Sequence, residues 1–298
     1  MDHHRAIKDL TTVIFSRTLF KKIPIVVVLI AILAACSSTR LIYTFAGEFI
    51  RDEIAYFLDL NREEDLFLSQ QVSEMVAWHR TSMLPNYAAY LTDMADTLAV
   101  GQYGADDITR AIAEGRSLIE KTVEGLTPRA SIVLVRHMTS DDIAFMEEKM
   151  AARRQERLEA LSEPEDARYA DRLDRLKSNF GRFFGDLADG QVTLLEAHAR
   201  ATLNDSGIRL RNWTRRQKAF LVFLKTQPVE AELTTYLNRL LLRSHEVTDP
   251  NHQAFSKASI DRFRTLLVRM LAISTQEQRE AIVRTLRTYA EDFETVSS

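Results

Sequence analysis

The stretch NREEDLFLSQQVSEMVAWHR, residues 61–80, carries the pattern from which the fold class is predicted. Asn61 is a residue type that caps helix N-termini, and Glu64 three residues later completes a capping box. Side chains that suit a helix interior face then recur at steps of three and four: Leu68, Val72, Met75 and His79. The stretch therefore predicts an amphipathic helix that begins after Asn61 and runs to about Met83.

The rest of the chain repeats this kind of pattern. The 298 residues include only 9 glycines and 6 prolines, and runs of alternating β-branched residues are few. Such a composition is typical of helical proteins. We expect an all-α fold, an irregular bundle of antiparallel helical hairpins with roughly nine to eleven helices.

Prolines and glycines mark the predicted helix boundaries. Pro85 suits the first turn of a new helix. Gly125 is expected to close a helix that begins near Asp106. Thr127-Pro128 would then open a segment that reaches about Leu161, and whether the chain restarts a helix at residues 139–142 is left open.

An apolar run from Ile23 to Ala35 precedes the only cysteine, Cys36. Its 13 residues are too few for a helix that crosses a bilayer, which needs about 20. Lys21 and Lys22 stand directly before the run, and small residues stand directly before the cysteine. These features predict a secretory signal peptide over residues 1–35.

The sequence Leu33-Ala34-Ala35-Cys36 resembles the lipobox of bacterial lipoproteins. The resemblance implies cleavage before Cys36, three acyl chains on that residue, and a mature helical domain over residues 36–298. Two or more acyl chains hold a protein durably on a membrane. The Ser37-Ser38 pair implies, by the sorting rules of enteric bacteria, the outer membrane and a domain that faces the periplasm. The alternatives are a retained short anchor and an ordinary apolar helix end.

Charge and cysteine content exclude other classes of protein. Without residues 1–35 the chain has 34 basic and 40 acidic residues, a net charge of -6. This balance argues against a nucleic-acid-binding protein. With a single cysteine, no disulfide forms within the chain, so the fold must rest on packing.

No motif for catalysis or for cofactor binding is found, and we predict a non-catalytic protein without a cofactor. The histidines are too scattered to predict a metal site. The best local candidate for a binding site is Trp78-His79-Arg80, because the imidazole could transfer protons and Arg80 could hold an anion. The alternative interpretation makes His79 an ordinary core contact.

A second candidate is the basic cluster around Trp213. Arg211, Arg215 and Arg216 could bind anionic lipid headgroups or lipopolysaccharide phosphates. They could equally form a solvated helix face that pairs with neighbouring acids. Trp213 itself falls on an apolar stripe and is expected in the core.

Short motifs along the chain resemble a family of uncharacterised bacterial lipoproteins, a domain of unknown function. They are Arg40-Leu41-Ile42-Tyr43, Asp59-Leu60, Trp78-His79-Arg80, Leu84-Pro85-Asn86-Tyr87, Trp213-Thr214-Arg215-Arg216-Gln217 and Gln276-Glu277-Gln278-Arg279. The resemblance covers nearly the whole mature chain and implies no activity.

Four helix openings, at residues 60, 126, 187 and 273, repeat a leucine or isoleucine followed by a cap. In the last of them Ser274 is the expected cap, with Glu277 three residues later. The openings are similar to the Leu-Thr-x-x-Gln motifs of the periplasmic chaperone Spy, although Glu64 and Ala130 replace the glutamine in two of them. The likeness implies an envelope scaffold that binds protein or peptide clients. The alternative function is an envelope hydrolase that uses His79 and nearby carboxylates.

Overall fold

The computed structural model describes residues 38–101 and 103–298, and this part of the chain is helical and contains no strand. The helices are α1 (Ser38–Ala55), α2 (Arg62–Trp78), a π-helical segment (His79–Met83), α3 (Leu84–Ala99), α4 (Ala105–Leu134), α5 (Ser140–Ser162), α6 (Glu165–Phe184), α7 (Asp189–Ala201), α8 (Asp205–Leu224), α9 (Glu230–Leu242), α10 (Ser244–Val247), α11 (Asn251–Ala272) and α12 (Gln276–Ser297). The predicted all-α bundle is confirmed. None of the described helices is long and apolar enough to cross a membrane.

Antiparallel pairs build the bundle. In the hairpin of α1 and α2, Arg51 contacts Asp65 near the connection and Tyr43 contacts His79 at the far end. The pair of α3 and α12 joins helices that are distant in sequence, with Arg287 bonded to Asp96. The first apolar core lies among α2, α4, α5, α8 and α9, and the second among α3, α6, α7, α11 and α12.

The capping box at Asn61 is confirmed. Its side-chain oxygen accepts hydrogen bonds from the backbone N–H groups of Glu63 and Glu64, at 2.9 and 3.1 Å. The Glu64 carboxylate in turn accepts from the Asn61 N–H at 2.9 Å. The sequence left open whether a helix restarts at residues 139–142. It does, because α5 begins at Ser140 and Thr139 and Asp142 form a second capping box at its start.

Pro85 lies in the first turn of α3, as predicted, but no break in the helix precedes it. The backbone N–H of Leu84 donates to the carbonyl of His79, five residues back, so the helix passes through a π-turn and continues. Pro85 fits directly after this turn because it has no N–H to place. The π segment thus joins α2, in the first core, to α3, in the second.

The predicted boundary at Gly125 to Pro128 is wrong, since α4 runs through both residues. A Cβ atom at Gly125 would lie 2.0 Å from the Trp78 ring, so the glycine is required for close packing and not for a helix end. Pro128 cannot donate to the carbonyl of Glu124, and the Thr127 hydroxyl lies 3.3 Å from that oxygen in its place.

Two of the predicted helix openings meet in the second core. The side-chain amides of Gln191 and Gln278 exchange two hydrogen bonds of 2.9 Å, and both side chains are buried. Each glutamine also accepts from a backbone N–H at the start of its own helix. The cap of α12 is therefore Thr275 with Gln278, which corrects the prediction of Ser274 with Glu277; the Ser274 hydroxyl donates to the Leu271 carbonyl.

We expect Gln191→Ala to lower the free energy of unfolding by about 1–2 kcal/mol, because it removes both buried hydrogen bonds between the two amides. Urea unfolding of the purified chain measures the change. Gln276→Ala is the matched control, since Gln276 is exposed and bonds Glu280 on its own helix. Equal losses in the two variants would contradict a stabilising role for the glutamine pair.

Candidate functional site

His79 lies at the start of the π segment and is 7% exposed. The Tyr43 hydroxyl on α1 contacts the imidazole Nδ1. The imidazole Nε2 is buried and has no hydrogen-bond partner among the described residues. The structure therefore encloses the imidazole between helices instead of presenting it to a substrate.

Aromatic rings surround His79. The Tyr43 and His79 ring centroids are 6.1 Å apart and stacked, and the Tyr87 and His79 centroids are 5.6 Å apart. Phe293 of α12 continues the row at 6.2 Å from Tyr87. The Tyr87 hydroxyl bonds Thr122 of α4. The cluster thus joins four parts of the bundle around one imidazole.

Burial determines the protonation of this cluster. It lowers the pKa of His79 from 6.5 to about 4, because the protonated ring loses its hydration. Burial also raises the pKa of Tyr43, with a further contribution from Tyr87, so its hydroxyl stays protonated. His79 is therefore neutral at pH 7. It has the features of a core histidine more than those of an acid–base catalyst.

A surface groove runs beside this cluster, between α1 and α2. Val72, Val76 and Ala77 form its apolar part, and hydroxyl groups of Ser69 and Ser73 border it. Arg51 of α1 lies towards the end near the α1–α2 connection, Arg80 lies towards the other end, and Glu48 of α1 also lines the groove. Tyr43 also lines the groove, but His79 does not.

The three adjacent residues Trp78, His79 and Arg80 point in different directions. The Trp78 ring packs on Gly125 of α4, and His79 turns into the aromatic cluster. Arg80 is exposed at the end of the groove. The predicted three-residue site is thus divided, and Arg80 is the member that faces solvent.

The arginines around Trp213 do not form one surface. Arg211 is exposed, and Arg215 pairs with Asp249. Arg216 turns inward, where burial lowers its pKa and its Nε has no partner among the described residues. Trp213 is half-buried beneath the guanidinium of Arg157, whose central carbon lies 4.0 Å from the ring centroid.

Cys36 lies outside the described residues. Within the part of the chain that the structure describes, no group of three or more histidine, cysteine, aspartate or glutamate side chains is placed to hold a metal ion.

Sequence comparison identifies a family. The profile of a family of unknown function, DUF6279, matches residues 56–248, which is more than half of the chain. The chain belongs to this family. No curated protein and no solved structure matches it. The DUF6279 region includes α2, the π segment and the arginines of α8, whereas Tyr43 and Phe293 lie outside it.

The sequence reasoning missed Tyr43, Tyr87 and Phe293 as partners of His79. A signal for two of them was present, because Tyr43 and Tyr87 each end one of the motifs that carry the resemblance. The structure brings those motifs together at His79. Nothing in the local sequence distinguishes Phe293 from other apolar residues of α12.

Proposed function

We propose that this protein is a lipoprotein of the bacterial cell envelope, attached through acylated Cys36 to the outer membrane and facing the periplasm. It acts there as a non-catalytic module that binds a segment of an envelope protein or peptide. The groove between α1 and α2 is the observation on which the binding role rests. The signal-peptide pattern of residues 21–36 supports the anchor.

The position of the groove fits an anchored protein. The described helix α1 begins at Ser38, two residues after Cys36 in the sequence, and Tyr43 at the end of the groove lies five residues, about 7.5 Å of helix, beyond Ser38. Phe45 on the same helix is 53% exposed. A partner in the groove would therefore be held close to the membrane surface.

The groove favours an amphipathic segment with an acidic group. Its apolar part would take the apolar side of the segment, as helix grooves do. Arg80 at the end that is nearer the anchor would pair with a carboxylate. The alternative of a hydrolase has less support, since His79 does not line the groove and its Nε2 is buried.

The anchor is tested by the intact mass of the membrane-extracted protein, with wild type and Cys36→Ala compared. We expect the wild type to have the mass of residues 36–298 plus a lipid adduct, and the variant to lack the adduct. A wild-type mass without processing or lipid would overturn the anchor and the compartment.

The groove is tested separately with a photo-crosslinking amino acid at position 73 in cells. Position 193 on α7 is the matched control, because Thr193 is a similarly exposed hydroxyl residue outside the groove. We expect a discrete adduct from position 73 that Arg80→Glu weakens. Equal labelling from both positions would overturn the assignment of the groove.

A further inference from the structure

A cluster of arginines lies outside the groove, where α6, α8 and α11 meet the turn after α7. Arg209 and Arg262 both donate to the same oxygen of Asp205, at 3.1 and 2.8 Å. Arg172 approaches the same turn, where its Nε donates to the Thr202 hydroxyl at 2.8 Å. Thr202 and Asp205 are joined by a backbone hydrogen bond of 3.2 Å. Two guanidinium groups therefore bond one carboxylate, and a third bonds the hydroxyl of Thr202 in the same turn.

Positive charge is in excess at this place. Arg172 contacts a neutral hydroxyl, and the charged groups that act on it most strongly are three arginines and one acid. His198 is half-buried beside them, and its pKa is lowered first by burial and then by Arg172, Arg262 and Arg209, against an opposing effect of Asp205. The start of α8 at Asp205 adds the positive end of a 20-residue helix.

The cluster differs from an ordinary solvated surface. The Asp205 side chain is 9% exposed and that of Arg262 is 34% exposed, so water screens these charges only in part. The Nε of Arg262 is buried without a hydrogen-bond partner among the described residues. Half-buried like charges of this kind repel one another, and a bound anion would relieve the repulsion.

We propose that Arg172, Arg209 and Arg262 form a binding site for a phosphate-type oxyanion, either free or at the end of a larger molecule. Planar guanidinium groups bind phosphoryl oxygens through pairs of N–H donors, and three of them match the several oxygens of such a group. Asp205 holds two of the arginines in place while the site is empty. The proposal is independent of the lipid anchor and of the groove.

The test uses the purified full chain and two probes, inorganic phosphate and glycerol 3-phosphate. Thermal unfolding and titration calorimetry are measured with each probe against sodium chloride of equal ionic strength. We expect saturable binding and a rise of the unfolding midpoint with inorganic phosphate. Binding of glycerol 3-phosphate as well would identify a site open to terminal phosphates, and binding of inorganic phosphate alone would identify a site for the free ion.

Single substitutions test whether phosphate binds at Arg172, Arg209 and Arg262. Arg172→Gln should weaken phosphate binding at least roughly tenfold, because it removes a charged donor pair. Arg209→Gln, at a more exposed position, is a second variant in case the first does not fold. Arg264→Gln is the matched control on α11, since Arg264 pairs with Asp261 instead, and it should change the affinity by less than about twofold.

The variant Asp205→Asn distinguishes a binding site from a structural ion pair. It removes the carboxylate that competes with the anion, so phosphate should bind more tightly although the empty protein is less stable. Absence of saturable binding with both probes would overturn the proposal. Equal weakening by Arg172→Gln and Arg264→Gln would also overturn it, because that result indicates charge screening alone.

Discussion

Replacing Gly125 by alanine is expected to lower the free energy of unfolding by about 2–3 kcal/mol, because the Trp78 ring already fills the space that the new methyl group needs. The new Cβ would lie 2.0 Å from two carbons of the Trp78 ring, so the ring or the α4 backbone must move. The result is informative because alanine in a helix interior normally stabilises by about 0.5–1 kcal/mol relative to glycine. Urea unfolding of the two proteins measures the difference.

Gly181 supplies the control for this experiment. It also lies inside a helix, α6, and a Cβ atom there meets nothing within 4 Å. Gly181→Ala should therefore leave the stability unchanged or raise it by up to about 1 kcal/mol. In a Trp78→Leu background, Gly125→Ala should cost much less than in wild type. If its cost stays the same, the contact with the Trp78 ring is not the cause.

Acidification is expected to destabilise the protein through His79. Burial lowers the pKa of this residue to about 4 from its ordinary 6.5, so between these values the unfolded chain binds a proton that the folded chain does not. Stability is therefore fully present above pH 6.5 and is lost as the pH falls towards 4. Between pH 8 and pH 5 the contribution amounts to about 2 kcal/mol. Urea unfolding at both pH values, for wild type and His79→Leu, measures it.

The variant should lose less stability than wild type on acidification, by about that amount. Tyr43→Phe is the control that separates titration from packing. It removes the hydroxyl that contacts Nδ1 and keeps the imidazole, so it should lower the stability at both pH values without removing the pH dependence. If His79→Leu and wild type lose equal stability between pH 8 and pH 5, the buried neutral histidine is refuted.

The fold class and several helix starts were predictable because their signals are local. Asn61 and Glu64 are three residues apart, and the capping box they form depends on nothing outside that turn. The scarcity of glycine and proline likewise indicated helices along the whole chain. The apolar stripe of Leu68 and Val72 correctly predicted the face of α2 that enters the first core.

The errors have a common physical cause, which is that the deciding contact is distant in sequence. Gly125 resembles a helix terminator until Trp78 is seen to pack against it. Gln191 and Gln278 are 87 positions apart, so neither helix opening shows that the two amides pair. For the same reason His79 could be proposed as a catalytic residue, since its burial depends on side chains from three other helices.

The π segment holds one residue more than an ordinary α-helical turn would, because its hydrogen bond spans five residues instead of four. Deletion of one residue within His79–Met83 could therefore convert the segment to α-helix and leave α2 and α3 close to their present orientation, with Leu84 and Ala88 still facing α12. Deletion of one residue elsewhere in α2 would instead turn the residues that follow by about 100° and move them off their core face. Members of the family that share this fold should accordingly tolerate the loss of one residue at 79–83 better than a change of length elsewhere in α2 or α3.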